Sequence, residues 1–172
     1  DAGKQIVMPI LTYKGINKLD LVISTHFHSD HIGGVPYLLS NLPVGAVIDN
    51  GGFFKRYQDY YSLISDKKIK RLPITSGQEI KLDSSVTLNI LYPVVLDNTK
   101  NSYFSDNENN NSVAVKLSYK DIDFLFTGDL EHEAEANLIA LYGNKLNCEV
   151  LKLGHHGSNT SGSQPFLDTI AP

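Results

Sequence analysis

With one cysteine, Cys148, in 172 residues, the chain can form no internal disulfide. That residue lies in an apolar stretch and reads as packing rather than chemistry. Basic residues are not in excess. There are 15 Lys and Arg against 19 Asp and Glu, a formal charge of −4. The whole chain therefore has no basic footprint for nucleic acid, although bound divalent cations would reverse the local field around a site. No apolar run is long enough to span a bilayer, and no secretory leader or internal repeat is visible. The remainder is an ordinary globular mixture, 41% hydrophobic and 20% charged. The length suggests one domain over residues 1–172, large enough to bury a core.

What the chain does have is concentrated. His26-Phe27-His28-Ser29-Asp30-His31 places three of the six histidines and a carboxylate within six positions. The run follows apolar Leu19, Leu21, Val22 and Ile23 and precedes Gly33-Gly34, which reads as strand, loop and glycine-opened helix. Alternate side chains of an extended segment share a direction, so His26 and His28 can grip one ion. Asp30 and His31, past the turn, can reach a second. Imidazole nitrogen and carboxylate oxygen suit zinc, manganese or iron.

Hydrophobic periodicity predicts strands over 19–25, 44–48, 78–82, 86–91, 113–119, 122–127 and 148–153. It predicts helices over 33–41, 53–66, 131–142 and 163–170, the third with Ala134, Leu138, Leu141 and Tyr142 on its apolar face. Tyr57, Tyr60 and Tyr61 read as core and groove packing rather than a stacking platform. Lys67, Lys68, Lys70 and Arg71 read as a solvated face or a phosphate-contacting rim, with Lys55 and Arg56 nearby. Residues 97–112, rich in asparagine, read as a loop with too little apolar surface to pack. Strands in two sheets with helices outside them make a layered α/β sandwich.

Two later segments repeat the strand-end theme. Phe124 to Asp129 is an apolar strand ending in Gly-Asp, and Asp129 can bridge two cations or cap the following helix. Leu151 to Ser158 delivers His155 and His156 just past a glycine. Adjacent side chains of an extended segment point apart, so one of the pair can bind metal while the other faces substrate.

His26–His31, Thr127-Gly128-Asp129 and Gly154-His155-His156-Gly157-Ser158 resemble the ordered motifs of the metallo-β-lactamase superfamily. Ile10–Ile16, Lys18–His26, Asn110–Leu117 and Gly128–Glu131 are similar to ComEC-type DNA-uptake competence proteins. The resemblance implies a four-layer αββα sandwich. Asp1-Ala2-Gly3 looks like the remnant of an Asp-Gly-Gly turn, so a partial domain, truncated at both ends, is expected. The implied ligands are His26 and His28 for one divalent ion (Zn2+ or Mn2+), and Asp30, His31 and His155 for a second. Asp129 would bridge the two. Asp30 and His156 would be catalytic, with the roles of His155 and His156 open to exchange, and Asn111 and Ser158 would contact substrate. Many superfamily members place a further histidine where this chain has Asn109-Asn110-Asn111-Ser112. An amide oxygen is a poor zinc ligand and a fair manganese one. The reaction implied is hydrolysis of a phosphodiester by water activated between two ions about 3.5–4 Å apart. The implied substrate is single-stranded DNA, on the extracytoplasmic face of a bacterial membrane and with a possible channel domain as partner. The alternatives are a small-molecule ester, lactone or phosphodiester hydrolase and a non-catalytic assembly domain.

Overall fold

The computed structural model describes residues 1–94 and 105–172. It contains two compact units, Asp1–Pro73 and Ile74–Pro172.

The first unit holds a parallel three-stranded sheet in the order β1 (Leu19–Ile23), β2 (Val44–Asp49), β3 (Lys70–Pro73). Parallel neighbours need crossover connections. Here these carry α2 (Ser29–Ile32) and α3 (Val35–Asn41) between β1 and β2, and α4 (Gln58–Asp66) between β2 and β3. Before them a helix runs through Gly3–Val7 and continues as α1 (Met8–Tyr13), a segment the periodicity did not predict. Phe27, Ile32, Leu39, Val47, Tyr60 and Ile64 form the core of this unit. Gly33 closes α2 and Gly34 opens α3. A Cβ on Gly34 would lie 2.6 Å from the Gly3 nitrogen, so the incoming helix fits there only against a bare backbone.

The second unit holds a five-stranded sheet in the order β4 (Glu79–Lys81), β5 (Val86–Tyr92), β6 (Ala114–Tyr119), β7 (Ile122–Phe126), β8 (Val150–Lys152). All neighbours are antiparallel except β7 and β8. The parallel return carries α5 (His132–Tyr142), and α6 (Gln164–Ile170) follows β8. Leu125, Leu130, Leu138, Leu146, Phe166 and Ile170 centre its core. Cys148 is buried there, as its apolar surroundings predict, and burial raises its thiol pKa.

The mixed architecture of two sheets with helices is the expected fold class. Several local expectations change. The helix predicted over 53–66 begins as a short 3-10 turn at Lys55–Tyr57 before α4. Leu141, expected in the core face of α5, is exposed; the buried positions are Ala134, Glu135 and Leu138. Glu135 is stable there because its carboxylate accepts hydrogen bonds from the backbone of Gly162 and Ser163, at the entry of α6. Part of the predicted loop over 97–112 lies outside the described residues. Its described end is a 3-10 turn, Glu108–Asn111, with Asn109, Asn110 and Asn111 buried.

Candidate metal centre

β1 ends at Ile23, and the chain stays pinned to β2 for one more residue through Ser24 N donating to Ile48 O at 2.9 Å. His26 follows, fully buried, and His28 sits at the N-cap of α2 in an extended conformation. The expected same-side placement is present: His26 Nε2 lies 3.1 Å from His28 Nδ1. Thr25 Oγ1 lies 3.1 Å from His26 Nδ1, which holds that ring from behind. His31 tilts against His26 at 4.1 Å between ring centroids. Its Nε2 is 3.6 Å from Asp30 Oδ2.

This geometry fits a divalent cation. Ligands about 2.0–2.1 Å from a tetrahedral ion stand about 3.3–3.4 Å from each other, close to the His26–His28 separation. The only other way to reconcile two ring nitrogens at that distance is a proton between them.

In the second unit, β7 and β8 run in parallel and end side by side. Gly154, just past β8, comes so close to the end of β7 that a Cβ would stand 3.0 Å from Thr127 Oγ1. His155 N donates to Gly128 O at 3.1 Å, which ties the two strand ends together. Asp129 is almost fully buried, and its backbone N–H donates to Ser112 Oγ. It does not cap α5, because the N-cap position belongs to Glu131. Asp129 Oδ2 lies 3.5 Å from His156 Nε2.

His155 and His156 are not extended. Both have left-handed backbones, with φ 43° and 54°. Non-glycine residues held this way cost of order 1 kcal/mol or more each and cluster at functional sites. His155 Nδ1 is 3.1 Å from Glu131 Oε1 and 3.0 Å from Thr160 Oγ1, which itself donates to Glu131 at 3.0 Å. Glu131 also accepts from Asn107 Nδ2 at 2.6 Å and Asn109 Nδ2 at 3.1 Å, and its backbone N–H donates to Asn110 Oδ1 at 2.9 Å. Burial alone would raise the Glu131 pKa. The donors Asn109, Asn107 and Thr160 and the neighbouring His155 outweigh it and hold the carboxyl below its ordinary value. The asparagine run is therefore a cradle for a carboxylate. Asn109 Oδ1 is buried with no hydrogen-bond partner among the described residues.

The first unit thus gathers His26, His28, Asp30 and His31, and the second gathers Asp129, His155 and His156. Ser158 is half-buried, its Oγ 3.1 Å from Thr160 Oγ1. The Asn111 amide is committed to its own turn: Nδ2 donates to Ser105 O and Asn107 O, and Oδ1 accepts from Ser105 N. The basic rim also changes. Lys70 and Arg71 lie in β3, and Arg71 points inward to buried Asp49, with Nε and Nη2 donating at 2.6 and 3.0 Å. Lys67 Nζ donates to Ser40 O. Sequence reasoning gave Glu131, Thr160, Thr25 and Asn107 no role. The signal for Glu131 is its place in the Gly128–Glu131 segment, two residues after Asp129, which the resemblance picks out without assigning it a role.

The chain matches the family described as "Metallo-beta-lactamase superfamily" over residues 2–171. It is 28% identical over 177 residues to ComE operon protein 3 of Bacillus subtilis and 31% identical over 171 residues to competence protein ComA of Neisseria gonorrhoeae. Each alignment covers 99% of this chain and 21% of the relative, so the chain spans about a fifth of the length of these proteins. Ribonuclease J of Helicobacter pylori is 28% identical over 192 residues, covering 99% of this chain and 24% of that protein. Among the described residues no helix is long and apolar enough to cross a membrane.

Proposed function

We propose a function from one premise: the chain belongs to the metallo-beta-lactamase superfamily. Within it, we read the chain as a metal-dependent phosphodiesterase that acts on single-stranded DNA in competence-type uptake. Its place would be the extracytoplasmic face of a bacterial membrane, beside a channel domain of the same protein. The similarity to two competence proteins and a ribonuclease supports the substrate class. Metal dependence is carried by buried His26 and half-buried His28, with ring nitrogens near the spacing of ligands on one ion.

The assignment of roles rests on motif order and family membership. His26 and His28 hold a first ion. Asp30, His31 and His155 hold a second, and Asp129 is shared. When bound, the two ions supply Lewis-acid activation of water and neutralise charge on the attacked phosphate. Asp30, whose side chain is largely exposed, accepts a hydrogen bond from the attacking water and aims it. Glu131 fixes the His155 ring by accepting from Nδ1, which leaves Nε2 as its ligand atom. His156, more exposed, donates a proton to the departing oxygen or contacts phosphate. Ser158 is left to bind substrate, because the Asn111 amide is occupied within its turn. One observation favours exchanging the two terminal histidines: His156 Nε2 lies within 3.5 Å of Asp129 Oδ2. Metal content separates the two versions, since the variant that empties a site identifies the ligand. Asn109, Asn110 and Asn111 stand where many superfamily members supply another imidazole; Asn109 Nδ2 and Asn110 Oδ1 engage Glu131, and the Asn111 amide engages its own turn. A site with fewer nitrogen donors favours Mn2+ over Zn2+.

The test is cleavage of labelled single-stranded DNA with manganese and with zinc, beside a generic small phosphodiester and a lactone. Manganese-dependent DNA cleavage is expected. Turnover of the small substrates alone would reassign the chain as a small-molecule hydrolase. Metal binding without any turnover would reassign it as an assembly domain.

A further inference from the structure

The loop that follows β2 carries two consecutive phenylalanines, Phe53 and Phe54, and then Lys55 and Arg56. Phe53 is 67% exposed. Lone exposed apolar side chains are common and need no explanation. This one differs in how firmly its underside is held and in what stands beside it. Its ring stacks on Tyr61, with centroids 4.6 Å apart and planes 28° from parallel. Tyr61 is fixed at its far end, where its hydroxyl donates to Gly52 O and accepts from Phe54 N. The Arg71 guanidinium lies 5.1 Å from the Tyr61 ring, and its Nη2 also donates to Gly52 O. The lower face of Phe53 is therefore occupied by a rigid ring, and its upper face meets solvent.

A second aromatic step continues from the first. The Phe54 ring lies 5.0 Å from Phe27, the residue between His26 and His28. The Arg56 guanidinium lies 4.8 Å from the Phe54 ring and 5.1 Å from the Tyr57 ring, and it donates to Phe27 O at 3.3 Å. Lys55 and Arg56 are both exposed. Between Gly51 and Gln58 there are two cations and no carboxylate, in a chain whose net charge is −4.

We propose that Phe53, backed by Tyr61 and flanked by Lys55 and Arg56, is a stacking platform for a nucleobase of single-stranded DNA entering the metal motif. This rests on the nuclease reading and adds to it a subsite that none of the metal motifs specifies. Every base has a flat π face, so stacking is tolerant of sequence, while neighbouring cations follow the phosphates. The Arg56 bond to Phe27 O ties the platform to the loop that bears His26 and His28. The expectation that the tyrosines here are packing residues holds: Tyr60 is buried in the core, and Tyr57 and Tyr61 pack against it half-buried. The stacking surface is the phenylalanine one layer further out.

The experiment uses the metal-loaded protein and two labelled, phosphorothioate-linked oligodeoxynucleotides that resist cleavage. One bears bases, and the other has the same length but is abasic. Affinities are read by fluorescence anisotropy at one fixed salt concentration. Phe53→Ala is expected to weaken the base-bearing strand roughly 5- to 150-fold, the range for losing one base–aromatic stack, and to leave the abasic strand unchanged. Phe53→Tyr is expected to bind like the parent. An equal loss on both strands, or no loss on either, overturns the platform, with circular dichroism confirming that the variant is folded. Manganese-dependent cleavage of ordinary DNA by the parent is measured in parallel. Base-selective binding without cleavage would sink the nuclease reading and keep the platform. Cleavage with an unaltered Phe53→Ala affinity would do the reverse.

Discussion

Removing the Glu131 carboxylate is the sharpest perturbation available in the second unit. In Glu131→Ala, Asn107, Asn109, Thr160 and His155 all lose an acceptor. The effects separate. Asn109 is buried, so its amide is left without a partner at about 1–3 kcal/mol, whereas Thr160 is exposed and water replaces the lost bond. His155 loses the group that fixes its tautomer and ring angle. Removing such a partner from a ligating histidine typically costs 10- to 100-fold in metal affinity, about 1.4–2.7 kcal/mol. Glu131→Gln does not restore the site. Three donors converge on one carboxylate oxygen and the Asn107 amide on the other, so one face of the glutamine must present its own N–H to a donor. We expect both variants to bind manganese and zinc at least tenfold more weakly in competition with a chelator, Ala more so than Gln. Their urea midpoints should fall by the equivalent of about 1–3 kcal/mol. A folded Glu131→Ala protein with parental metal affinity would refute the reasoning, and with it the ligand role of His155.

Asp129→Ala should remove metal occupancy and turnover together, read by elemental analysis and the DNA-cleavage assay; an active variant would end the two-ion assignment. Arg71→Ala strands the buried Asp49 carboxylate. Breaking a buried pair costs about 3–5 kcal/mol, and the low end is expected because Tyr60 Oη and Gly51 N still donate to Asp49. A urea-unfolding loss below 1 kcal/mol would contradict this, whereas the double change Arg71→Met with Asp49→Asn should recover part of it. Burial opposes ionisation of Asp123, but hydrogen bonds from Lys116 and Ser118 and the Lys116 charge prevail and lower its pKa. A depressed carboxylate stabilises above its unfolded value, about 3.9, and that contribution disappears as pH falls through the lower native value. Asp123→Asn should therefore be less stable than the parent near neutrality, and their unfolding midpoints should converge in acid.

The strands and the metal motifs were legible because their signals are local. Leu19 to Ile23 reads as a strand from its own side chains, and His26 to His31 announces ligands by composition alone. What escaped depends on partners distant in sequence. Lys70-Arg71-Leu72 looks like the end of a charge run, yet it pairs with β2 as β3, where Asp49, 22 residues earlier, neutralises Arg71. The asparagines at 107–111 carry no apolar surface, so they read as an unpacked loop. Asn109 and Asn110 are buried and Asn107 half-buried where Glu131, more than 20 residues later, accepts from Asn107 and Asn109 and donates to Asn110. Leu141 misled in the opposite direction. Its spacing belongs to the apolar face of α5, but the helix turns Glu135 inward instead, where two backbone donors await it.

A common arrangement underlies both units. Each has a buried or half-buried carboxylate that takes no part in the proposed ligand set and is satisfied by several neutral or cationic donors. In the first, Asp49 binds Arg71, Tyr60 and the Gly51 backbone. In the second, Glu131 binds two asparagines, a threonine and a histidine. Both lie beside strand ends that deliver chemistry. Asp49 closes β2 where the chain turns toward Phe53, and Glu131 follows β7 by a few residues. Unsatisfied charges at these positions would melt the loops, whereas fully bonded ones rigidify them. The proposed ligands can then be presented on short, strained or extended backbone, as His155 and His156 are, because the strain is opposed by a network one step removed. On this reading the asparagines that replace the expected histidine are not a lost ligand alone. Asn109 and Asn110 hold Glu131, whose carboxylate would aim His155, the next ligand in the proposed set.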